Sequence, residues 1–133
     1  MHQVDHFAFR VSDPELAIHF YRDLLGLKLL SKTVDTDHHE AFAFLELKGG
    51  NLELLWLLDE NNQPLAYQKP LIEPPYCPHL ALKTKNLNQR VIDLRQKNIR
   101  IINGPLEIPN MVKWLYIADP DHNIIEFVQW INP

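Results

Sequence analysis

His6-Phe7-Ala8-Phe9-Arg10-Val11 is answered 73 residues later by His79-Leu80-Ala81-Leu82-Lys83-Thr84. The same interval separates Glu53, in Asn51-Leu52-Glu53-Leu54-Leu55, from Glu126, in Ile124-Ile125-Glu126-Phe127-Val128, and Arg10 from Lys83. The chain is thus one module written twice. Each copy carries a His near its start and a Glu near its end, and together they supply two His and two Glu, an inventory suited to a divalent metal.

Working outward, strand alternation decides which side chains share a face. His6, Ala8 and Arg10 point one way, and Phe7, Phe9 and Val11 the other; His79, Ala81 and Lys83 oppose Leu80 and Leu82. Glu53, Leu55 and Leu57 oppose Leu52, Leu54 and Trp56, and Glu126, Val128 and Trp130 oppose Ile125 and Phe127. In each strand the face behind the His or Glu is bulky enough to pack under a helix. The four candidate ligands therefore belong to the open side of the sheet.

The pattern of each module is βαβββ. Ser12-Asp13-Pro14-Glu15 supplies a capping side chain, a proline for the first turn and an acid at the positive end of the helix dipole. Leu16/Ala17, Phe20/Tyr21 and Leu24 recur at helical spacing up to Gly26. Strands are expected over about 27–34, 41–48 and 51–58, the last two joined at Gly49-Gly50. The second module predicts a strand at about 77–84, a helix at 88–97, a short strand at 99–102, a proline-containing loop, and strands at 112–118 and 124–131. The proline-rich residues 59–75 read as a linker, giving one domain over 1–133 with modules 1–58 and 76–133. The expectation is an α+β fold whose two βαβββ modules form an open, cleft-forming, eight-stranded mixed sheet with helices on the outer face.

Composition bounds the function. At 133 residues the chain is long enough to bury about two-thirds of its unfolded surface. A net charge of -4 speaks against a nucleic-acid or anionic-membrane partner. No run approaches the ~18 apolar residues of a membrane span. One cysteine, Cys77, excludes an intrachain disulfide and suits a reducing compartment, so the cytoplasm is expected. Cys77 has no paired base in sequence and reads as a small packed residue, and His38-His39 as a solvated loop.

Taken with Phe20-Tyr21, Leu25-Gly26-Leu27 and Asp119-Pro120-Asp121 five residues before Glu126, the chain resembles the vicinal oxygen chelate superfamily, which includes glyoxalases, bleomycin-resistance proteins and extradiol dioxygenases. The resemblance covers nearly the whole chain and is nearest to glyoxalase I-like members. It implies a metal set of His6, Glu53, His79 and Glu126 holding one divalent ion per site, whether Zn, Ni, Co, Mn or Fe. It also implies a lyase or isomerase acting on a small oxygen-chelating substrate through an enediolate, with Glu53 or Glu126 as the catalytic base.

Arg10 and Lys83 lie on the ligands' face, ~13 Å further along their strands, where they would recognise an anionic tail. Leu57 and Trp130, with Leu55, Val128 and Trp114, would give the substrate site apolar walls. Three positions depart from the glutathione-using members: Leu57 stands for an Asn, Pro75 for an Arg and Asn110 for a Lys. His122 replaces the Gly after Asp-Pro-Asp, which points to Asn123 as the left-handed residue. A homodimer is expected, since an open sheet exposes edges and apolar surface. Two other classes stay open: a non-catalytic drug- or metabolite-binding protein, and an Fe(II) extradiol-type dioxygenase.

Overall fold

A computed structural model of the protein describes residues 1–132 and places its eight strands in two sheets of four. The chain divides into two compact units, the first Met1–Pro70 and the second beginning at Leu71.

In the first unit, β1 (His6–Arg10) is followed by α1 (Pro14–Ile18), β2 (Leu29–Asp35), β3 (Glu40–Leu45) and β4 (Asn51–Leu57). The sheet order is β1-β4-β3-β2, with β1 parallel to β4 and the other pairs antiparallel. The parallel pair requires a crossover, and the intervening helix and hairpin provide it. Asp13 caps α1: its Oδ1 accepts from the backbone N–H groups of Glu15, at 3.0 Å, and Leu16, at 3.2 Å. After one turn the helix widens into a π-helical segment, His19–Leu24. Leu25 N–H then donates to the Phe20 carbonyl at 2.9 Å. Gly26, at φ 78°, supplies the left-handed exit. Ala17, Ile18, Phe20 and Tyr21 are buried with Leu52, Leu54 and Trp56, so α1 and β4 close one core behind the sheet. Each such side chain contributes on the order of 1.5–3 kcal/mol of burial.

The second unit repeats the plan with β5 (His79–Lys83), α2 (Leu87–Gln96), β6 (Ile101–Ile108), β7 (Val112–Ala118) and β8 (Ile124–Trp130), in the order β5-β8-β7-β6. Asn86 caps α2 by accepting from Gln89 N–H at 3.1 Å. Leu87, Val91 and Leu94 bury its inner stripe, with Ile125 and Phe127 buried on the sheet side.

Three expectations need correction. The sixth strand does not stop at residue 102: β6 runs on to Ile108, accommodating Gly104-Pro105 by register shifts against β7. The left-handed residue after Asp119-Pro120-Asp121 is His122 (φ 66°), not Asn123. Asn123 is held instead by Asp119, whose carboxylate accepts from its backbone N–H and its side-chain amide, both at 2.9 Å. The first part of the linker is not free chain: Leu58 pairs with Pro64, and Leu65 N–H donates to the Leu57 carbonyl at 2.8 Å. That attachment is why the first unit reaches Pro70 rather than ending at residue 58.

Candidate functional site

The parallel pairing of each unit builds one pair of candidate residues. Ala8 lies beside Glu53 across β1 and β4, and Ala81 beside Glu126 across β5 and β8, in the same register. Those small neighbours leave the carboxylates room to lean toward the His two residues earlier on the adjacent strand. His6 Nε2 lies 3.7 Å from Glu53 Oε1, and His79 Nε2 lies 2.9 Å from Glu126 Oε1. All four predicted ligands thus meet as two His–Glu pairs, one in each unit. Among the described residues no three His, Cys, Asp or Glu side chains gather closely enough to hold a metal ion.

The second nitrogen of each imidazole decides what the first can do. His79 Nδ1 donates to the Tyr76 carbonyl at 2.8 Å, because a carbonyl only accepts. In the neutral ring Nε2 is then bare, and its lone pair faces a carboxylate oxygen. Two acceptors at 2.9 Å need a cation between them, either a proton or a metal ion. His6 is arranged alike: Nδ1 meets Asp5 Oδ2 at 2.6 Å and Nε2 faces Glu53. The Asp5 hydrogen bond raises the His6 pKa above its ordinary value against the opposing effect of desolvation, and the Glu53 charge adds to the rise. Neutral Nε2 donors oriented through Nδ1, each beside a carboxylate, are the donor set that borderline divalent ions take. The second pair is the more enclosed, with side-chain exposures of 21% and 15% against 40% and 13%.

An aromatic ring stands beside each imidazole. Phe44, directly opposite Glu53 on β3, meets the His6 ring edge-on at 5.5 Å. Tyr116, directly opposite Glu126 on β7, meets His79 in the same way at 5.5 Å and stacks on Tyr76 at 4.8 Å. Burial, and next the Glu126 charge, push the Tyr116 phenol above its ordinary pKa, so it stays a hydrogen-bond donor at neutral pH. Neither ring is evident from the 73-residue interval. Phe44 and Tyr116 are 72 residues apart, because the stretch from Tyr116 to Glu126 is one residue longer than that from Phe44 to Glu53. Cross-strand register carries the signal instead.

The remaining candidates fall as follows. Arg10 is exposed, with its guanidinium 4.3 Å from the centre of the Tyr67 ring, a cation–π contact from the former linker. Lys83 is exposed at the end of β5. Leu55, Leu57 and Val128 are half-buried, whereas Trp130 is 48% exposed. Cys77 is exposed rather than packed, its Sγ 3.6 Å from the Pro75 carbonyl and 3.9 Å from His79 Nδ1. His38 and His39 are engaged by Asp35 and Asn62 at 2.7 and 3.0 Å.

Comparison with known proteins follows the same line. A Bacillus subtilis protein, YwbC, is 27% identical over 128 residues, 96% of this chain and 97% of that one. Human mitochondrial methylmalonyl-CoA epimerase is 27% identical over 106 residues, 80% of this chain but 60% of the epimerase, so the match spans about three-fifths of that relative. Lactoylglutathione lyase of Haemophilus influenzae is 27% identical over 96% of this chain and 92% of its own length. Among solved structures, SMU.1112c superposes with a TM-score of 0.81 at 21% identity, covering 96% of this chain and 98% of that one. TnmS3, an antibiotic-binding protein from Streptomyces sp. CB03234, superposes with a TM-score of 0.71 at 23% identity, covering 98% and 97%. These two share the fold. The profile of one family matches residues 3–127, nearly the full length. The chain belongs to the Glyoxalase/Bleomycin resistance protein/Dioxygenase superfamily.

Proposed function

We propose that this protein is a metal-dependent enzyme that moves a proton at a carbon next to a carbonyl, a reading supported by its similarity to proteins named lactoylglutathione lyase and methylmalonyl-CoA epimerase. The observation that carries this reading is the repeated His–Glu pair, each with its imidazole Nε2 turned toward a carboxylate. His6, Glu53, His79 and Glu126 would hold one divalent ion, its two pairs drawn either from one chain or from two. An ion held by these residues would supply Lewis-acid stabilisation of the negative charge that develops on the substrate. Glu53 or Glu126 takes the proton from carbon and returns it to that carbon or its neighbour. Tyr116, protonated and opposite Glu126, donates a hydrogen bond to a substrate oxygen as it gains charge. Arg10 and Lys83 hold an anionic group, while Leu57 and Trp130 contact the apolar part of the substrate.

A homodimer fits the same reading. Each sheet ends in an edge strand, and β2 exposes Leu30 and Val34. Among the described residues no helix is long and apolar enough to cross a membrane. The exposed thiol of Cys77 favours a reducing compartment such as the cytoplasm.

The test is reconstitution with Ni(II), Zn(II), Co(II), Mn(II) or Fe(II), followed by elemental analysis and solvent-deuterium exchange at the α-carbon of methylmalonyl-CoA and of α-hydroxycarbonyl compounds. One ion per His6/Glu53/His79/Glu126 set, with exchange lost in His79→Ala, is expected. An ion bound without exchange would favour a binding protein. Oxygen uptake with catechols would favour the dioxygenase class.

A further inference from the structure

Resting on the metal reading above, we infer that Tyr76 is the positioning residue of the second half-site, fixing both the tautomer and the direction of His79. Tyr76 has a left-handed backbone, φ 61°, which strains a residue with a Cβ and persists only where its surroundings hold it. What holds it is visible on both sides. Its backbone N–H donates to the Glu73 carbonyl at 2.9 Å, closing the turn, and its ring stacks on Tyr116 at 4.8 Å.

That conformation aims the Tyr76 carbonyl at His79 Nδ1, 2.8 Å away, and leaves Nε2 facing Glu126. Tyr116 completes the circuit, since its ring touches both Tyr76 and His79 while its strand position faces Glu126. The first half-site has no equivalent. His6 Nδ1 meets the side chain of Asp5, which is 93% exposed and free to rotate away. A carbonyl locked into the main chain cannot do so. The two imidazoles are therefore oriented unequally, and the second is set before any ion arrives.

The experiment compares Tyr76→Phe, which keeps the ring, with Tyr76→Ala, which removes it. Tyr76→Gly, which tolerates the left-handed backbone, substitutes if the Ala variant does not fold. Imidazole nitrogen NMR of the metal-free protein at mildly alkaline pH reports the His79 tautomer, and chelator competition with Co(II) reports affinity. Wild type and Tyr76→Phe should show His79 protonated at Nδ1 and share one affinity. Tyr76→Ala or Gly should show mixed tautomers and bind Co(II) about 10–100-fold more weakly, as loss of a group orienting a ligand does. Wild-type tautomer and affinity in the Ala or Gly variant, whatever its melting temperature, overturns the inference. A fixed tautomer in wild type, lost in Ala, with no Co(II) bound by either, upholds the orientation of His79 and sinks the metal reading alone.

Discussion

Glu53 and Glu126 stand in equivalent places but different company: Glu53 is 3.7 Å from an exposed His6, Glu126 is 2.9 Å from an enclosed His79. A carboxylate that serves only as ligand and one that also takes a proton respond differently to amidation, because Gln still offers an oxygen donor but cannot accept a proton into an acid. Glu53→Gln should lower turnover by about 10²–10⁴-fold while weakening metal affinity far less, if Glu53 is the base. Parallel losses in affinity and turnover would make it a ligand only. A second prediction concerns stability. Hydrogen bonds from Arg22, and then from His19, hold the Asp23 carboxyl down to about 2. The unfolded chain therefore binds this proton more readily than the folded one, and the charged network stabilises the fold above the ordinary carboxylate pKa of ~3.9. That contribution disappears as pH falls toward 2. The exposed position keeps it small. The gap in Tm between wild type and Asp23→Asn should be measurable near neutrality and close in acid; a gap that persists unchanged to the lowest pH would count against the assignment.

Among the elements, β6 is where alternation and turn chemistry ran out as guides. Gly104-Pro105 reads as a loop because proline lacks a ladder donor, yet the strand continues through it by shifting register on β7. Gly104 makes the shift possible: at φ 105°, a Cβ there would come within 2.9 Å of the Trp114 carbonyl oxygen and 3.0 Å of the Leu115 Cα. Backbone atoms cannot yield as a side-chain tip would. Gly26 also has positive φ, but a Cβ there meets nothing within 4 Å. Gly26→Ala should therefore cost about 1 kcal/mol of strain, and Gly104→Ala about 2–4 kcal/mol of strain plus overpacking. Urea unfolding of the two variants decides this, and equal losses would remove the steric account. The other elements were legible because two signals agreed at each: Asp13 and Pro14 with the apolar stripe of α1, and the His/Ala alternation with a buried opposite face in β1. The π-helical turn at 19–24 had no such signal, since its spacing of buried Phe20 and Tyr21 also suits an α-helix.

At the scale of the molecule, duplication made the two His–Glu pairs legible, because pairing of β1 with β4 and of β5 with β8 preserves the 73-residue interval. It hid Tyr76 and Tyr116, whose positions depend on a left-handed turn and on a hairpin connection one residue longer than its counterpart, neither shared by the repeat. The residues proposed to meet substrate fall in the repeat as well, Arg10 with Lys83 and Leu57 with Trp130, and they offer few polar groups for a glutathione moiety. Leu57 is half-buried and apolar, and Pro75 and Asn110 are exposed without charge. Arg10, stacked on Tyr67, and Lys83 are left to meet an anion. Each missing charge-assisted hydrogen bond costs about 1.5–3 kcal/mol, so two or three amount to several powers of ten in affinity. The methylglyoxal–glutathione hemithioacetal should accordingly be a poor substrate, with kcat/KM well below about 10⁵ M⁻¹s⁻¹. Smaller or more apolar oxygen-chelating compounds should do better, and Arg10→Ala should raise KM for anionic ones more than it lowers kcat. Steady-state kinetics across such a series is the measurement. A kcat/KM above that value with the glutathione adduct would mean that other side chains hold the tripeptide, and would restore it as the substrate to be explained.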